Sequence, residues 1–378
     1  MRIGYDAKRL FNNFTGLGNY SRFIVGGIHR AFPKEELFLF TPKHKEHPET
    51  KDFNTAASFT TVLPSALLSN LKLGSYWRSF LLAKEAKRHQ LDLYHGLSHE
   101  LPRGISAVAK SVVTVHDLIF LRYPQFYKAI DRWIYTQKIK YACAEADCIV
   151  AISEQTKNDL IEFLHVPTEK IAVVYQGCHP NFHRKFSSEE LQQVRSKYQL
   201  PEQFLLNVGT VEPRKNVLHV VKALKALGDS TAIPLFIVGR HTAYAKVIHE
   251  YVKENGLASR VHFLPKVSFA DLPAIYQLSS AFVYPSVFEG FGIPLVEAIA
   301  CGVPVITSTG SCFSEAAGLD AVYVDSQDVK GMATAIEKVL KDETFRAKMI
   351  SGSSAYIKRF ESAQIAQDMM NVYRSLVK

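Results

Sequence analysis

The sequence predicts an α/β protein with two doubly wound parallel sheets. Short runs rich in Val, Ile, Leu and Phe alternate with amphipathic stretches along the whole chain, a pattern typical of repeated strand and helix units. A polar stretch at residues 180–203 interrupts this alternation after the seventh apolar run. The length of 378 residues is sufficient for two domains, each with its own hydrophobic core.

The predicted strands form two series, one on each side of the polar stretch. The first series lies at residues 2–6, 37–41, 58–63, 91–95, 111–116, 148–152 and 171–174. The second series lies at residues 204–208, 235–238, 261–263, 281–284, 303–307 and 321–324. Apolar residues at helical spacing then predict a closing helix at the end of the chain. We expect domains over residues 1–183 and 200–359, with the closing helix at 360–378.

The composition excludes several classes of protein. Lys and Arg number 45 against 36 Asp and Glu, and the net charge of +9 favours anionic partners such as nucleotides, phosphates or membrane surfaces. Five cysteines without CxxC or Cys/His metal spacing predict neither a disulfide framework nor a zinc site. The charged first ten residues do not resemble a signal peptide, so we expect a cytoplasmic protein. No nucleic-acid-binding motif accompanies the basic composition, and no nucleic-acid partner is expected.

Two glycines follow the first predicted strand, in residues 12–19 (NNFTGLGN). Gly16 and Gly18 precede a helix that we predict to begin at Tyr20. Glycines in this position let the backbone approach a phosphate or a sugar, and a helix N-terminus offers free N–H groups. A tight turn is an equally good explanation. The GxGxxG spacing of dinucleotide-binding proteins is absent, because Ser21 stands three residues after Gly18.

A comparable segment follows the first strand of the second domain, in residues 209–216 (GTVEPRKN). Arg214 and Lys215 are adjacent cations just before a helix predicted from Val217. Such a pair can neutralise a diphosphate, with Arg binding in bidentate fashion and Lys acting as a point charge. A solvated surface pair is the alternative interpretation.

The strongest signal in the sequence is EGFGIPLVE at residues 289–297. Glu289 and Glu297 stand eight residues apart within an otherwise apolar run. Burying ionised carboxylates is costly unless they are paired or bind a ligand, which favours a binding role over a purely structural one. The N–H groups of Gly292 and Ile293 can meet sugar hydroxyls or phosphate, and Glu297 can accept from both hydroxyls of a ribose.

Histidines follow two strands of the first domain. His116 and Asp117 end the segment VVTVHD, at the edge of the sheet where ligands of α/β proteins bind. A satisfied core position for His116 and a turn or capping role for Asp117 are the open alternatives. His95 and His99 follow another strand, without spacing that indicates a metal site.

The order of GLGNY, VVTVHDL, AISEQTKNDL, NVGTVEPRKN, FEGFGIPLVEAIACGVPVI and SCFSEAAG resembles the retaining GT-B glycosyltransferases of family 4. The resemblance covers nearly the whole chain, and residues 289–297 are similar to the E-x7-E signature of that family. It implies two Rossmann-like domains that face a central cleft, an N-terminal acceptor domain and a C-terminal donor domain. It also implies that the closing helix crosses back onto the first domain. GTVEPRKN and VHDLIFLRYP look most like bacterial mannosyl- or related hexosyltransferases that build cell-surface polysaccharides.

The resemblance also implies which residues form the site. At the reacting sugar and the leaving diphosphate it places His116, Lys215 and Glu289. The donor-binding residues that it implies are Gly16, Gly18, Thr210, Arg214, Lys215, Arg240, Phe291, Gly292, Ile293, Pro294, Leu295 and Glu297.

Two positions depart from the pattern of the family. Thr210 stands where many relatives have a second diphosphate-binding Arg or Lys, so we expect Arg214 or Arg240 to substitute for it. Ser314 and Glu315 stand where relatives commonly have Pro-Glu, which affects the geometry of that loop and not the fold.

The activity implied by the resemblance is retaining transfer of a hexose from GDP-mannose, or from another GDP- or UDP-hexose, to a saccharide or lipid-linked acceptor. No metal or other cofactor is expected, since the sequence contains no Asp-x-Asp pair. One alternative is a glycoside hydrolase or epimerase with Glu289 and Glu297 as paired carboxylates. Lys215 argues against it, because a glycosidase has no diphosphate to neutralise. The other alternative is a non-catalytic subunit that binds a nucleotide sugar, and the presence of His116 argues against this alternative.

Residues 72–90 and 122–140 combine basic and aromatic side chains. Basic residues attract anionic headgroups and aromatic rings favour the membrane interface, so the two segments predict docking on the inner face of the membrane. The alternative is that the aromatic rings face the domain core and the cations form a solvated helix face.

Overall fold

The computed structural model describes residues 1–56, 58–264 and 266–377, and the chain divides into two compact units. Unit 1 consists of Met1–Gly177 and Phe360–Lys378, and unit 2 of Cys178–Arg359. Each unit contains one parallel β-sheet, so the predicted α/β class with two doubly wound sheets is confirmed. Lys378, the last residue of the predicted closing helix, lies outside the described residues.

Unit 1 is built on a seven-stranded sheet in the order β3-β2-β1-β4-β5-β6-β7. Its strands are β1 Arg2–Asp6, β2 Glu36–Phe40, β3 Phe59–Val62, β4 Leu93–Gly96, β5 Lys110–Val115, β6 Cys148–Ala151 and β7 Ile171–Val173. All neighbouring strands are parallel. The strand order reverses between β1 and β4, and the carboxyl ends of strands at such a switch point are where open α/β sheets bind ligands.

Unit 2 is built on a six-stranded parallel sheet in the order β10-β9-β8-β11-β12-β13. Its strands are β8 Leu205–Val208, β9 Leu235–Val238, β10 Val261–Leu264, β11 Ala281–Tyr284, β12 Val305–Ser308 and β13 Val322–Val324. The strand order of this sheet reverses between β8 and β11. A ligand of this sheet is therefore expected at the carboxyl ends of β8 and β11.

Helices of unit 1 follow the strands in the expected alternation. They are α1 Lys8–Asn12, α2 Gly16–Ala31, α3 Lys51–Thr55, α4 Ala66–Asn70, α5 Gly74–Tyr76, α6 Leu82–Arg88, α7 Ile119–Arg122, α8 Ala129–Glu145 and α9 Glu154–Leu164. A π-helical turn, Trp77–Leu81, joins α5 to α6. Shorter 3-10 turns lie at Pro48–Thr50, Ile105–Ala107, Pro124–Phe126 and Thr168–Lys170.

The start of α2 differs from the sequence prediction. The helix begins at Gly16 and not at Tyr20, so Gly16 and Gly18 lie in its first turn. The side-chain oxygen of Asn13 accepts from the backbone N–H groups of Thr15 at 2.9 Å and Gly18 at 3.2 Å, which stabilises this start. The low helix propensity of glycine pointed to a loop, but these local contacts override it.

The helices of unit 2 are α10 Ser188–Tyr198, α11 Val217–Leu227, α12 Ala245–Glu254, α13 Leu272–Leu278, α14 Ile293–Ala300, α15 Phe313–Ala317, α16 Val329–Lys341 and α17 Glu343–Tyr356. Its 3-10 turns include Pro180–His183, Pro213–Lys215 and Gly228–Thr231, and a fourth turn, Ile357–Phe360, leads back into unit 1. Ser187 and Glu190 form a capping box at the start of α10.

The closing helix α18 spans Ser362–Leu376 and packs against α2 within unit 1. Its buried face includes Ile365, Met369 and Tyr373. The Tyr373 hydroxyl lies 2.6 Å from Nδ1 of His95 in β4, and the other ring nitrogen of His95 lies 2.8 Å from the Thr114 hydroxyl in β5. A buried polar network thus ties the last helix to the central strands. None of the described helices is long and apolar enough to cross a membrane.

Candidate functional site

Unit 2 brings Arg214, Lys215 and Glu289 into direct contact at the switch point of its sheet. Lys215 Nζ lies 2.6 Å from Glu289 Oε1, and Arg214 Nη1 lies 2.8 Å from Glu289 Oε2. The Ser286 hydroxyl donates to Oε1 at 2.5 Å. Both oxygens of this carboxylate are therefore engaged by cations.

The electrostatics of this cluster keep Glu289 ionised. Its side chain is 10% exposed, and burial alone raises the pKa of a carboxyl group. The positive charges of Lys215 and Arg214 outweigh burial and lower the pKa of Glu289 to about 2. At neutral pH Glu289 is thus a hydrogen-bond acceptor and not a proton donor.

The two cations are held differently. Besides Glu289, Arg214 donates to the Phe288 carbonyl at 2.6 Å and to Glu212 at 2.8 Å, so its fork ties two loops together. Lys215 donates to Glu289 and, at 2.6 Å, to the Tyr284 hydroxyl. An ammonium group has three N–H donors, so the two contacts that Lys215 makes within the described residues leave one donor available.

The loops after β8 and β9 pack backbone against backbone beside this cluster. Gly209 and Gly239 both have positive φ, +152° and +154°, and a Cβ on Gly239 would stand 1.9 Å from the Gly209 carbonyl oxygen. The Val211 N–H donates to the Arg240 carbonyl at 2.9 Å. The backbone of Arg240 thus supports the segment that contains half-buried Thr210. The side chain of Arg240 is exposed, and among the described contacts it makes no ion pair with Glu289.

Glu297 lies in the first turns of α14, which begins after Gly292 in the left-handed conformation (φ +96°). The Tyr276 hydroxyl donates to Glu297 Oε2 at 3.0 Å. Burial raises the pKa of Glu297 to about 7, and the hydrogen bond from Tyr276 opposes this rise only in part. Glu297 therefore exists in both protonation states near neutral pH, in contrast to Glu289.

The segment between Glu289 and Glu297 exposes main-chain atoms more than side chains to a ligand. Phe291 and Leu295 are fully buried in unit 2, while Ile293 and Pro294 are half-buried in the first turn of α14. A ligand at this segment would meet main-chain atoms. Pro294 lacks an N–H group, so Gly292 and Ile293 provide the donors nearest the helix start.

In unit 1, His116 follows β5 and is almost completely buried. Its Nε2 lies 2.9 Å from the Leu97 carbonyl, and its ring packs edge-on against Tyr20 at a centroid distance of 4.6 Å. Burial lowers the pKa of His116 to about 3, so the ring is neutral. Asp117 accepts from the Ile119 N–H two residues on at 3.1 Å, which is the turn role considered from the sequence.

The glycines after β1 differ in their surroundings. A Cβ on Gly18 would stand 1.7 Å from the Asn13 carbonyl oxygen, so only glycine fits this close approach. A Cβ on Gly16 would meet no atom within 4 Å. The N–H of Gly18 is also engaged, at 2.9 Å from the Thr15 carbonyl. Gly16 is therefore the more open of the two toward a ligand.

Sequence reasoning missed three side chains of the site in unit 2: Ser286, Tyr284 and Tyr276. The first two stand at or just beyond the carboxyl end of β11, next to the switch point. Their position at that end was a usable signal. Tyr276 lies on α13, and its contact with Glu297 across 21 residues leaves no local pattern.

Comparison with known proteins agrees with both halves of the structure. Residues 25–182 match the family model Glycosyltransferase Family 4, and residues 188–355 match Glycosyl transferases group 1. O-antigen chain mannosyltransferase B of Escherichia coli is 27% identical to the chain, and the alignment covers 100% of both. O-antigen chain mannosyltransferase RfbU of Salmonella typhimurium is also 27% identical, with 97% of this chain and 98% of that protein covered.

Solved structures show the same fold at low sequence identity. HepE of Anabaena in complex with UDP superposes with a TM-score of 0.75 at 18% identity, covering 99% of this chain and 100% of that one. WaaG, a glycosyltransferase involved in lipopolysaccharide biosynthesis, gives a TM-score of 0.72 at 16% identity, with 98% and 99% covered. The chain belongs to the GT-B glycosyltransferases of the family 4 type. It is a glycosyltransferase with two Rossmann-like domains.

Proposed function

We propose that this glycosyltransferase transfers mannose from GDP-mannose, with retention of configuration, to a saccharide or lipid-linked acceptor in O-antigen or related cell-surface polysaccharide synthesis. The observation that carries the proposal is the contact of Lys215 and Arg214 with an ionised Glu289 at the switch point of unit 2. The names of the E. coli and Salmonella relatives support mannose and O-antigen. The HepE complex makes a UDP-sugar the second candidate donor.

In the proposed mechanism the remaining N–H of Lys215 and the helix start at Gly292 stabilise the charge that develops on the departing diphosphate. Glu289 accepts hydrogen bonds from hydroxyls of the transferred sugar, and Glu297 accepts from the ribose. Neutral His116 donates its Nε2–H to the Leu97 carbonyl, so it meets a sugar hydroxyl only as an acceptor, at Nδ1. The acceptor attacks on the face from which the diphosphate leaves, and a phosphate oxygen takes its proton. No metal is required, because protein cations supply the positive charge.

A carboxylate-pair hydrolase is less well supported by the same geometry. A retaining glycosidase needs one carboxylate as a free nucleophile. Both oxygens of Glu289 are engaged by Lys215, Arg214 and Ser286, which makes this carboxylate a poor nucleophile. Release of free hexose from the donor at the transfer rate, without an acceptor, would favour the hydrolase.

Two measurements test the proposed function. Thermal-shift screening with GDP, UDP and ADP and their sugars identifies the donor, since a ligand at 100 times its Kd stabilises by about 2.7 kcal/mol. We expect the largest shift with GDP and GDP-mannose. NMR of the freshly formed product should then show the anomeric configuration of the donor. An inverted linkage would contradict the retaining mechanism.

We also propose that unit 1 docks on the inner face of an anionic membrane. Trp77 is buried, as in the core alternative, but its helical neighbours Tyr76 and Phe80 are exposed. On α8, Trp133 is 62% exposed, and Ile130 is exposed beside it. The apolar side chains exposed on these segments are accompanied by the exposed cations Lys72, Lys84, Lys87 and Lys128.

Sedimentation with liposomes tests this docking surface. We expect binding to vesicles with anionic lipid that weakens at high salt, and little binding to neutral vesicles. Trp133→Ser should reduce binding, whereas a substitution of exposed Leu319 in unit 2 (Leu319→Ser) should leave it unchanged. Equal sedimentation of both variants and the unaltered protein would contradict a role for this surface.

A further inference from the structure

Unit 1 carries a second charged cluster at the switch point of its own sheet, between β1 and β4. Asp6 is the last residue of β1, and Lys8 and Arg9 follow it on α1. Glu100 comes four residues after the end of β4. Arg78, from the π-helical turn, and Lys138, from α8, complete the cluster.

An inner chain of ion pairs holds this cluster together. Asp6 has a side chain that is 3% exposed, and Arg78 Nη1 lies 2.5 Å from its Oδ2. The other terminal nitrogen of Arg78 pairs with Glu100, whose second oxygen lies 2.8 Å from Lys138 Nζ. The two carboxylates are thus already satisfied by Arg78 and Lys138.

Lys8 and Arg9 have no such partners. Within the described part of the chain neither side chain makes a hydrogen bond or an ion pair, although both are half-buried. The cluster therefore contains four cations and two carboxylates, and two positive charges are uncompensated. The neighbouring rings of His99 and His116 do not add charge, because burial lowers the pKa of His99 to about 4 and that of His116 to about 3.

The pKa values of Lys8 and Lys138 are both lowered, in agreement with this excess of positive charge. Partial burial, followed by the charges of Arg78 and Arg9, lowers the pKa of Lys8. Burial and then the charge of Arg78 also lower the pKa of Lys138, although this lysine pairs with Glu100. Cations that are destabilised by burial and by one another are stabilised when an anion binds between them.

We propose that Lys8 and Arg9, supported by Arg78 and Lys138, bind a phosphoryl group of the acceptor substrate. This inference rests on the proposed transferase function, since it identifies the chemistry of the acceptor. A phosphoryl group carries about two negative charges at neutral pH, which matches the two uncompensated cations, whereas a carboxylate carries one. The guanidinium fork of Arg9 suits bidentate binding of phosphate oxygens, and Lys8 adds a point charge.

Calorimetric titration with inorganic pyrophosphate tests this anion site separately from the donor site. The titration is made with GDP at saturation, so that unit 2 is already occupied. We expect pyrophosphate to bind to the GDP-saturated protein. Its affinity should fall about tenfold or more in Lys8→Ala/Arg9→Ala, because a tenfold change corresponds to the loss of one charge-assisted hydrogen bond. Lys8→Gln/Arg9→Gln, which keeps most of each side-chain stem, should lower it likewise.

Matched controls separate the possible outcomes. Lys34→Ala/Lys246→Ala removes two exposed lysines outside the cluster and should leave pyrophosphate binding unchanged. Lys215→Ala should also bind pyrophosphate at the Lys8 and Arg9 site, whether or not GDP binds to unit 2. The test of this anion site therefore does not depend on whether unit 2 is the donor site. Absence of this binding in the unaltered protein, or its persistence in the Lys8 and Arg9 variants, would overturn the proposal.

Discussion

Lys215 and Arg214 are neighbours that contact the same carboxylate, yet their surroundings predict different consequences of mutation. Arg214 has three protein partners, while Lys215 keeps a donor for ligand. Glu289 depends on both for its low pKa. We therefore expect the lysine to act in catalysis and the arginine to position the loop that carries Glu289.

We predict that Lys215→Ala lowers kcat by about 30- to 1000-fold, because about 2–4 kcal/mol of preorganised charge stabilisation is lost. Lys215→Arg should lose much less. Arg214→Ala should instead lower the free energy of unfolding by about 3–5 kcal/mol, since Glu289 and Glu212 lose a cation. Steady-state kinetics and urea unfolding measure the two effects. A stable Arg214→Ala enzyme without activity, beside an active Lys215→Ala enzyme, would reverse these assignments.

Glu297 should make nucleotide binding depend on pH near neutrality. Ribose hydroxyls donate to the ionised carboxylate, and the folded-state pKa of about 7 is above the usual value of 4.5. The affinity for GDP should therefore rise as the pH increases toward about 7 and level off above it. The stability of the free protein changes with pH in the opposite direction: it falls as the pH rises from about 4.5 to 7, because ionising this half-buried carboxyl group is unfavourable in the folded state.

The variant Glu297→Gln isolates this contribution in calorimetric titrations at pH 6, 7 and 8. It should bind GDP more weakly at pH 8 and lose the part of the pH dependence centred near 7. The phosphate of GDP titrates near pH 6 in both proteins, so it cancels in the comparison. If the two proteins bound GDP with equal affinity at pH 8, the only role of Glu297 would be to accept the hydrogen bond from Tyr276.

At the scale of elements, the first turn of α2 offers a matched pair of glycines. We predict that Gly18→Ala is strongly destabilising, because the new methyl group would overlap the Asn13 carbonyl oxygen. Gly16→Ala should keep or raise stability by about 0.4–1 kcal/mol, since its Cβ meets no neighbour and alanine restricts the unfolded chain.

Activity then reports on the proposed approach of donor phosphate to this turn. Gly16→Ala should lower kcat/KM for the donor while the unfolding midpoint is unchanged or higher. Full activity of this stable variant would show that the glycines serve the helix start only.

The close approach of Gly18 to Asn13 was not visible in the sequence, because it depends on how the chain turns between α1 and α2.

At the scale of the whole molecule, the chain returns from unit 2 to complete unit 1. Tyr373 in α18 and His95 in β4 are 278 residues apart in sequence, and both are buried. We predict that Tyr373→Phe lowers the free energy of unfolding by about 1–3 kcal/mol, because a buried ring nitrogen of His95 loses its partner. A double-mutant cycle with His95→Phe, measured by urea unfolding, should give a coupling energy of similar size. Additive effects would contradict a contribution from this contact.

The sequence by itself determined the class of fold and the chemical groups of the site. Apolar runs and helical spacing are local, so they report which segments form strands and helices whatever their final neighbours. The cations at 214–215 and the carboxylates at 289 and 297 were evident for the same reason, since charges in or beside apolar runs need partners. What the pattern could not determine was which partner each charge would have.

Only the tertiary structure decided those partnerships. Strand order and crossovers bring Arg214 to Glu289 across 75 positions, and they pair Arg78 with Asp6 while Lys8 has no ion-pair partner among the residues that the structure describes. Such contacts depend on long-range register, for which neighbouring residues carry no signal. The neighbours of each carboxyl group then decide its chemistry, because two cations lower the pKa of Glu289 to about 2, whereas Glu297, with a tyrosine hydroxyl and no described cation to oppose the effect of burial, has a pKa of about 7.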